Sequence, residues 1–526
     1  MKPNFGALAC FFLGVCLFGC GSPHFGGEDG ALRVITPDLM RAHITYLSSD
    51  ALLGRNTPSP ELDTAAAYIA RALQSSGIEP CNGTYFQDVP LIIVSLGQEN
   101  SLSLRIRGVD RSFELKTDFV PFEITANRSV TAPLVFAGYG ITAPEHNYDD
   151  YAGLDARGKV VLVLRHEPGE EDPASPFDGR ESTPYSTVEV KARIAREHGA
   201  VGVLLVTDPL NHMNLIPRGF PWPSLSKIIP ADALPLTLAT EESTKVPTVH
   251  VGPAVIESLL GSIDSLKAIQ RLIDAGHRPA EYPVDAIVTV KTSTITKDMS
   301  AKNVVGMLEG SDPSLRNEVV VIGAHYDHVG YKKTHAPGDD FIYNGADDNA
   351  SGTAGVLAIA AAFHAAREHP RRTLLFIFFA GEEKGLFGSQ AYVDHPLFPL
   401  GRTVAMLNLD MIGRGGPDTL FVVGTSRSPD LVKLNEEENQ AIHFTLLYGQ
   451  EGFLGRSDQA SFLKKSVPAL FLHTGEHADY HKVTDEASRI DFDKAARVAR
   501  LGFLDVWRIA NESTHYRIID KPISLF

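Results

Sequence analysis

The stretch TLLFIFFAGEEKGLFGS, residues 373–389, decides the fold of the second half of the chain. It begins with an apolar run of β-branched and aromatic residues, which is typical of a strand buried in a sheet. Two adjacent carboxylates, Glu382 and Glu383, follow this run almost at once. Successive residues at a strand end point in different directions, so one carboxylate can bind a metal ion while its neighbour stays free to hold a proton. The alternative interpretation is an exposed, charged turn.

The residues around this stretch alternate between strand and helix patterns. Within 284–526, strands are predicted at 318–324, 373–380, 403–409 and 467–473, and helices at 351–367, 386–393 and 491–511. Strands separated by helices predict an α/β fold, with a mixed, largely parallel sheet between layers of helices. In such sheets the functional groups gather beyond the carboxyl ends of the strands.

Polar side chains follow several of these predicted strands. His325 and Asp327 are two residues apart and so share one face of a strand. Residues 347–349 (Asp-Asp-Asn) precede a helix. Asp410 ends a strand, and His481 lies in a polar loop. Taken singly, each fits a helix cap, a turn or an ordinary loop histidine. Together they supply the nitrogen and oxygen ligands that a divalent metal ion needs, and zinc fits this set best.

These five segments, in this order, resemble the co-catalytic two-zinc exopeptidase family that includes secreted bacterial leucyl aminopeptidases and glutamate carboxypeptidase II. The resemblance implies two Zn²⁺ ions per chain. It implies the following metal ligands: His325 and Asp410 for one ion, Glu383 and His481 for the other, and Asp347 as the bridge between them.

The same resemblance implies roles for the neighbouring residues. Glu382 would be the general base, Asp327 would orient His325, and Tyr480 would donate a hydrogen bond to the oxyanion or the substrate. The peptide bond between Asp347 and Asp348 is expected to be cis. Outside this pattern, the sequence places three further histidines near the site: His328, His335 and His477. They are predicted to line the pocket or to meet solvent, and contact of one of them with the substrate is the alternative.

The sequence pattern changes in residues 131–283, where short buried strands are predicted between turns rich in Gly, Pro and Asp. The run FAGYGITAPEHNYDDYAGLDARGKVVLVLRHEPG, residues 136–169, is similar to the protease-associated (PA) domain. In the family this domain lies near the mouth of the active site, and the alternative is a passive insert. The predicted organisation is a signal peptide (1–19), an N-terminal part of the peptidase domain (20–130), the PA insert (131–283) and the metal-binding part (284–526).

The N-terminus has the features of an export signal. Its apolar run at 7–18 is too short to span a bilayer comfortably but suits the core of a signal peptide. The following residues, LFGCGS at 17–22, look like a bacterial lipobox, which predicts a lipid on Cys20 and a lipoprotein anchored in the bacterial cell envelope, facing the periplasm or the surface. Ordinary secretion is the alternative. Of the other cysteines, Cys10 and Cys16 leave with the leader, so Cys81 has no partner for an intrachain disulfide.

The net charge of −16 argues against a nucleic-acid partner. The sequence favours a zinc-dependent exopeptidase, an aminopeptidase acting on peptides. A carboxypeptidase or dipeptidase on the same scaffold would need a basic cluster for the free carboxylate of its substrate, and Arg414 and Arg456 lie close to the motifs. A non-catalytic surface binding protein is the third possibility, although the complete ligand set argues against it. The sequence does not indicate an oligomeric state.

Overall fold

The computed structural model describes residues 27–172, 175–177, 179, 183–217, 236–239, 246–277, 279, 282–366 and 368–519. The predicted signal peptide at 1–19 and the lipidation site Cys20 lie outside these ranges and stay predictions. In the described part of the chain, none of the helices combines the length and the apolar character that a bilayer span requires.

The helices predicted at 351–367, 386–393 and 491–511 are confirmed, and further helices lie outside these ranges. Their bounds are α1 (Gly27–Leu32), α2 (Pro37–Leu47), α3 (Pro60–Ser75), α4 (Val188–Glu197), α5 (Pro253–Leu260), α6 (Ile263–Asp274), α7 (Gly352–Ala365), α8 (Phe387–Asp394), α9 (Pro429–Glu438), α10 (Gln459–Lys464) and α11 (Phe492–Asn511). Helices α2 and α3 each begin with a proline after a capping hydroxyl, from Thr36 and Ser59 respectively.

The strands form two large sheets and one small hairpin. Their bounds are β1 (Glu79–Pro80), β2 (Phe86–Leu96), β3 (Ser101–Ile106), β4 (Val109–Phe113), β5 (Phe119–Pro121), β6 (Arg128–Phe136), β7 (Thr142–Ala143), β8 (Tyr148–Asp149), β9 (Val160–Leu164), β10 (Gly202–Val206), β11 (Leu236–Leu238), β12 (Thr248–Val251), β13 (Ile287–Thr292), β14 (Thr294–Leu308), β15 (Val319–His325), β16 (Thr373–Phe379), β17 (Thr403–Leu409), β18 (Thr419–Val423), β19 (Thr445–Leu447) and β20 (Ala469–His473).

The first sheet carries the order β11-β2-β14-β16-β15-β17-β20-β18-β19, with β1 paired to β14. Its centre, β16-β15-β17-β20, is parallel. The flanking strands β14 and β18 are antiparallel to their central neighbours. The mixed, largely parallel core predicted from the sequence is therefore confirmed. Because the four central strands run the same way, their carboxyl ends meet at one edge of the sheet.

Strand β16 is buried on both faces, as its composition predicts. Phe376 and Phe378 pack in the core that contains α7 and α11, while Leu375, Ile377 and Phe379 pack in the core on the opposite face. Full burial of each such side chain contributes about 1.5–3 kcal/mol. The strand therefore holds the following Gly-Glu-Glu turn on a rigid base.

The second sheet has the order β4-β3-β13-β6-β9-β10-β12-β5 and runs from Ser101 to Thr292. It begins earlier and ends later than the predicted boundaries of 131 and 283. The reason is strand pairing: β13 pairs with both β3 and β6, which draws residues assigned to the N-terminal part of the peptidase domain into this sheet. The sequence marks 85–130 as strand-like but does not say which sheet each strand joins. The insert also returns one strand, β11, to the edge of the first sheet beside β2.

Candidate metal centre

The central parallel strands bring the predicted site residues to one edge of the first sheet. His325 is the last residue of β15, Glu382 and Glu383 follow β16, and Asp410 follows β17 directly. His481 lies in the loop after β20. Segments far apart in the sequence therefore converge because their strands are neighbours in the sheet.

Asp348 lies at the middle of this convergence. Its Oδ1 is 3.4 Å from His325 Nε2, and its Oδ2 is 3.0 Å from His481 Nε2. The segment Ala346–Ser351, which leads into α7 and carries Asp348, is buried, and the Asp348 side chain is only 5% exposed. One carboxylate therefore presents its two oxygens to two different histidines.

Two groups of potential metal ligands surround this carboxylate. In the first group, His325 Nε2 lies 3.4 Å from Asp410 Oδ1 and 3.9 Å from Glu382 Oε2. In the second group, His481 Nε2 lies 3.0 Å from Glu383 Oε2, and Asp348 and His328 complete the set. Asp348 belongs to the second group and contacts the first through His325. This is the arrangement that a carboxylate shared by two cations requires.

The structure assigns the central position to Asp348, whereas the sequence interpretation assigned it to Asp347. Asp347 faces another way: its Oδ1 accepts a hydrogen bond from Gly413 N (2.7 Å), and its Oδ2 lies 3.3 Å from His477 Nε2. The cis peptide bond is likewise displaced by one residue, to Asp348–Asn349. Two consecutive aspartates look alike in a sequence, and only the path of the backbone into α7 determines which of them faces both His325 and His481.

The backbone around Asp348 is held by Asp485, which gave no clear signal in the sequence, and by Asn349. Asp485 accepts hydrogen bonds from the backbone amides of both Asp347 and Asp348. Asn349 donates from its Nδ2 to Leu409 O and accepts at its Oδ1 from Met411 N, which ties this turn to the end of β17. The one available signal was position, since Asp485 lies four residues after His481 in the same polar loop.

Arg55 gave no signal in the sequence, yet it connects the N-terminal segment to the site. Its buried guanidinium donates to the carbonyl oxygens of Leu47, Tyr326, Asn344 and Gly345. Burial lowers the pKa of Arg55 to about 10, against the opposing effect of nearby carboxylates, so the group stays charged at neutral pH. The Arg55 guanidinium thereby holds together the loops on either side of the metal centre.

Asp327 contacts both sides of the centre. Its Oδ2 accepts a hydrogen bond from Thr57 Oγ1 (2.8 Å), and its Oδ1 accepts one from the backbone amide of Glu382 (3.2 Å). The same Oδ1 lies 3.6 Å from His325 Nδ1. These contacts support the orienting role that the resemblance implies, and they extend it to the turn that carries Glu382.

A recess opens beside the first ligand group. Its lining is mixed acidic and aromatic: Asp348, Glu382, Asp410, Met411, Phe453, Arg456, Phe471, His473, Glu476 and Tyr480. The Tyr480 ring stacks on His481 with 3.9 Å between the ring centroids. Burial, together with the nearby carboxylates, raises the pKa of Tyr480, so its hydroxyl keeps its proton and can donate it in a hydrogen bond.

The donor atoms fit bound divalent cations. The buried side-chain atoms without a hydrogen-bond partner include His325 Nε2, His481 Nε2 and Asp410 Oδ1. Such atoms are costly unless something else coordinates them. Burial and the like charges of Glu383 and Asp410 raise the pKa of Glu382, despite the opposing effect of His325. Burial lowers the pKa of His481, but the carboxylates of Glu383 and Asp348 outweigh it and raise the value to about 11. A cation would relieve this crowding of carboxylates.

The three additional histidines have different surroundings. His328 is fully buried, and its Nδ1 lies 2.7 Å from Glu383 Oε1, so it contacts a ligand rather than solvent. His477 is nearly buried and faces Asp347. His335 is exposed and stacks on Phe341.

Comparison with known proteins relates two segments of the chain to known families. Residues 303–503 match the family described as Peptidase family M28. This segment is therefore similar to M28 peptidase domains. Residues 130–259 match the PA domain, so a PA insert precedes the segment that matches the M28 family, as predicted.

Curated proteins similar to this chain include two named as leucine aminopeptidases. A probable leucine aminopeptidase of Trichophyton verrucosum is 29% identical over 230 residues, which are 42% of this chain and 61% of that protein. Leucine aminopeptidase 2 of Arthroderma otae is 29% identical over 251 residues, or 45% and 46% of the two chains. The chain thus spans about half the length of these curated relatives. The solved aminopeptidase from Aneurinibacillus sp. strain AM-1 shares the fold, with a TM-score of 0.53 and 23% identity over 94% of this chain and 98% of that one.

Proposed function

We propose that this chain is a zinc-dependent exopeptidase, an aminopeptidase that hydrolyses the N-terminal peptide bond of peptides. The observation that carries the proposal is the Asp348 carboxylate, which faces His325 with one oxygen and His481 with the other. The M28 domain and the relatives named leucine aminopeptidase support the same reaction class.

Two Zn²⁺ ions fit the two donor groups. His325, Asp410 and one oxygen of Asp348 would hold the first ion, and Glu383, His481 and the other oxygen would hold the second. When bound, the ions polarise the scissile carbonyl and lower the pKa of a water molecule. The contact of His328 with Glu383 keeps that ligand in place.

Glu382 would carry the proton in this reaction. Its carboxylate lines the recess beside the first donor group, within reach of a water molecule there. It would accept a proton as the water attacks the carbonyl carbon and would then deliver it to the leaving amine. Asp327 holds the amide of Glu382 in place. The Tyr480 hydroxyl, protonated and beside His481, would donate to the developing oxyanion.

The charge of the recess favours an aminopeptidase over a carboxypeptidase. Arg414 is paired with Asp479 (2.8 Å), and Arg456 with Glu476 (2.7 Å). The positive charge that would bind a substrate carboxylate is therefore offset. The carboxylates that line the recess would instead attract the ammonium group of a peptide N-terminus.

Substrate blocking tests this assignment. Fluorogenic amides of free amino acids should be hydrolysed, whereas the same amides with an acetylated amino group should be cleaved at least about 10²-fold more slowly, since a buried site discriminates strongly against a lost polar contact. A zinc chelator should abolish both rates, and added Zn²⁺ should restore them. Faster cleavage of N-blocked peptides that have a free C-terminus would instead establish a carboxypeptidase, and no hydrolysis of any peptide by the metal-loaded protein would leave a binding protein.

We also propose that the mature chain is anchored through a lipid on Cys20. The support is the LFGCGS segment after a short apolar run. A Cys20→Ala variant expressed in a bacterial host should fail to incorporate labelled palmitate and should leave the membrane fraction, while Cys16→Ala, within the same leader, should behave as the parent. Equal labelling of the parent and the Cys20→Ala variant would contradict the anchor, and an unlabelled, released parent would indicate ordinary secretion.

A further inference from the structure

A second cluster of metal-ligating side chains lies in the PA insert, outside the centre described above. Its members are His166, Glu170, Asp208 and His212, and each offers one donor atom within 4.8 Å of the others. The M28 chemistry makes no use of these residues. The cluster combines two imidazoles with two carboxylates, so it is more than a patch of acidic groups.

The position of the cluster follows from the sheet. Strands β9 and β10 are parallel neighbours, so the loops that follow them leave the same edge. His166 lies just beyond the end of β9, and Asp208 lies at the equivalent place beyond β10. Glu170 follows His166 in the first loop, and His212 follows Asp208 in the second loop, at the same spacing in the sequence. The fold therefore brings together two pairs of ligands that are far apart in the sequence.

The contacts form a closed set rather than two separate pairs. His166 Nδ1 lies 2.5 Å from Asp208 Oδ1 and 3.9 Å from Glu170 Oε2. His212 Nε2 lies 2.9 Å from that same Glu170 oxygen and 3.8 Å from Asp208 Oδ2. Each imidazole nitrogen therefore faces both carboxylates. The two rings are 4.0 Å apart between centroids.

These spacings suit a tetrahedral ion. Donors at 2.0–2.2 Å from a central zinc ion are about 3.4 Å from one another. The distances within the cluster, 2.5, 2.9, 3.8 and 3.9 Å, lie on both sides of this value. The corresponding separations in the active centre are 3.0 and 3.4 Å. Asn211 Nδ2 donates to both carboxylates, at 3.4 Å to Asp208 and 3.3 Å to Glu170, which is the outer support that metal ligands commonly have.

Burial is graded across the cluster in a way that leaves a route for an ion. The Asp208 side chain is fully buried, whereas the His212 side chain is 34% exposed. Two imidazoles disfavour Ca²⁺ and Mg²⁺, which prefer oxygen ligands, and the lack of a thiolate disfavours Cu(I). We propose that these four residues bind one divalent transition-metal ion, best matched by Zn²⁺, which fastens the loop after β9 to the loop after β10.

Metal counting on the full chain tests this proposal. Protein dialysed against trace zinc should contain one equivalent more than its active centre holds, and His212→Gln should lose that one equivalent. His198→Gln is the matched control, because His198 lies in the same insert but bonds Thr142 and stacks on Tyr151 outside the cluster. Hydrolysis by His212→Gln should stay within about twofold of the parent, since the residue lies outside the catalytic centre.

A variant that lacks two of the active-centre ligands distinguishes zinc bound at the insert cluster from zinc bound at the active centre. The double variant His325→Ala/His481→Ala should still bind one zinc ion, and zinc should raise its melting temperature; adding His212→Gln should remove both effects. If the parent protein bound zinc only at the insert cluster and none at the active centre, this result would contradict the peptidase proposal but not the insert site. Identical metal content in the parent and His212→Gln, or no zinc-dependent shift in the double variant, would overturn the insert site and leave a hydrogen-bonded network of histidines and carboxylates.

Discussion

The Glu382→Gln variant is expected to keep its metal and to lose about 10²–10⁴-fold in kcat, the usual contribution of a general base. Glutamine has the same shape as glutamate but cannot accept the proton of the attacking water. The backbone amide of Glu382, which donates to Asp327, is unaffected by the change. The measurement is kcat and KM on an amino-acid amide, together with metal analysis of the same sample.

The neighbouring carboxylate supplies the control. Glu383→Gln should lose activity together with bound metal, because Glu383 lies 3.0 Å from His481 within the second donor group. The two variants differ by one position in the chain, and metal content distinguishes their roles. Activity near the parental level in metal-loaded Glu382→Gln would remove the proposed mechanism, and loss of metal from that variant would make Glu382 a ligand rather than the base.

The Asp348→Ala variant should lose metal and at least about 10³-fold in kcat/KM, since bound metal ions supply several kcal/mol of transition-state stabilisation. Asp348 is the residue whose two oxygens face the two histidines, so its removal affects both donor groups. The measurement is zinc stoichiometry by elemental analysis, followed by kinetics at saturating Zn²⁺.

Its neighbour again provides the comparison. Asp347→Asn keeps an oxygen to accept from Gly413 N and should change kcat/KM by no more than about tenfold, the lower range for residues that only support ligands. The reverse ranking, with Asp347→Asn losing metal and Asp348→Ala keeping it, would return the bridging position to Asp347.

Much of the fold could be predicted from local patterns. The buried strand β16, the capped helices α2 and α3, and the long helix α11 all have apolar spacing or caps that a short window reveals. The sheet that each strand joins could not be predicted in this way. Strands β3 and β13 look like any half-buried strands, and their sheet is decided by partners that lie far away in the chain.

The residues of the candidate site likewise divide into those that local sequence patterns predict and those that they do not. His325, Glu382, Glu383, Asp410 and His481 were predicted because each follows a predicted strand or stands in a motif. Thr57 and Arg55 were missed, since they act through contacts with residues more than 250 positions away.

The sequence by itself determined which side chains are available and at which strand ends they lie. It therefore predicted an α/β fold with nitrogen and oxygen donors suited to a metal ion. Only the tertiary structure decided that Asp348 rather than Asp347 faces the histidines, and that His166 and Asp208 meet in the insert. Residue type and spacing follow from the order of the chain. The direction of a side chain at a turn, and the meeting of two loops, depend instead on backbone path and strand pairing over long distances.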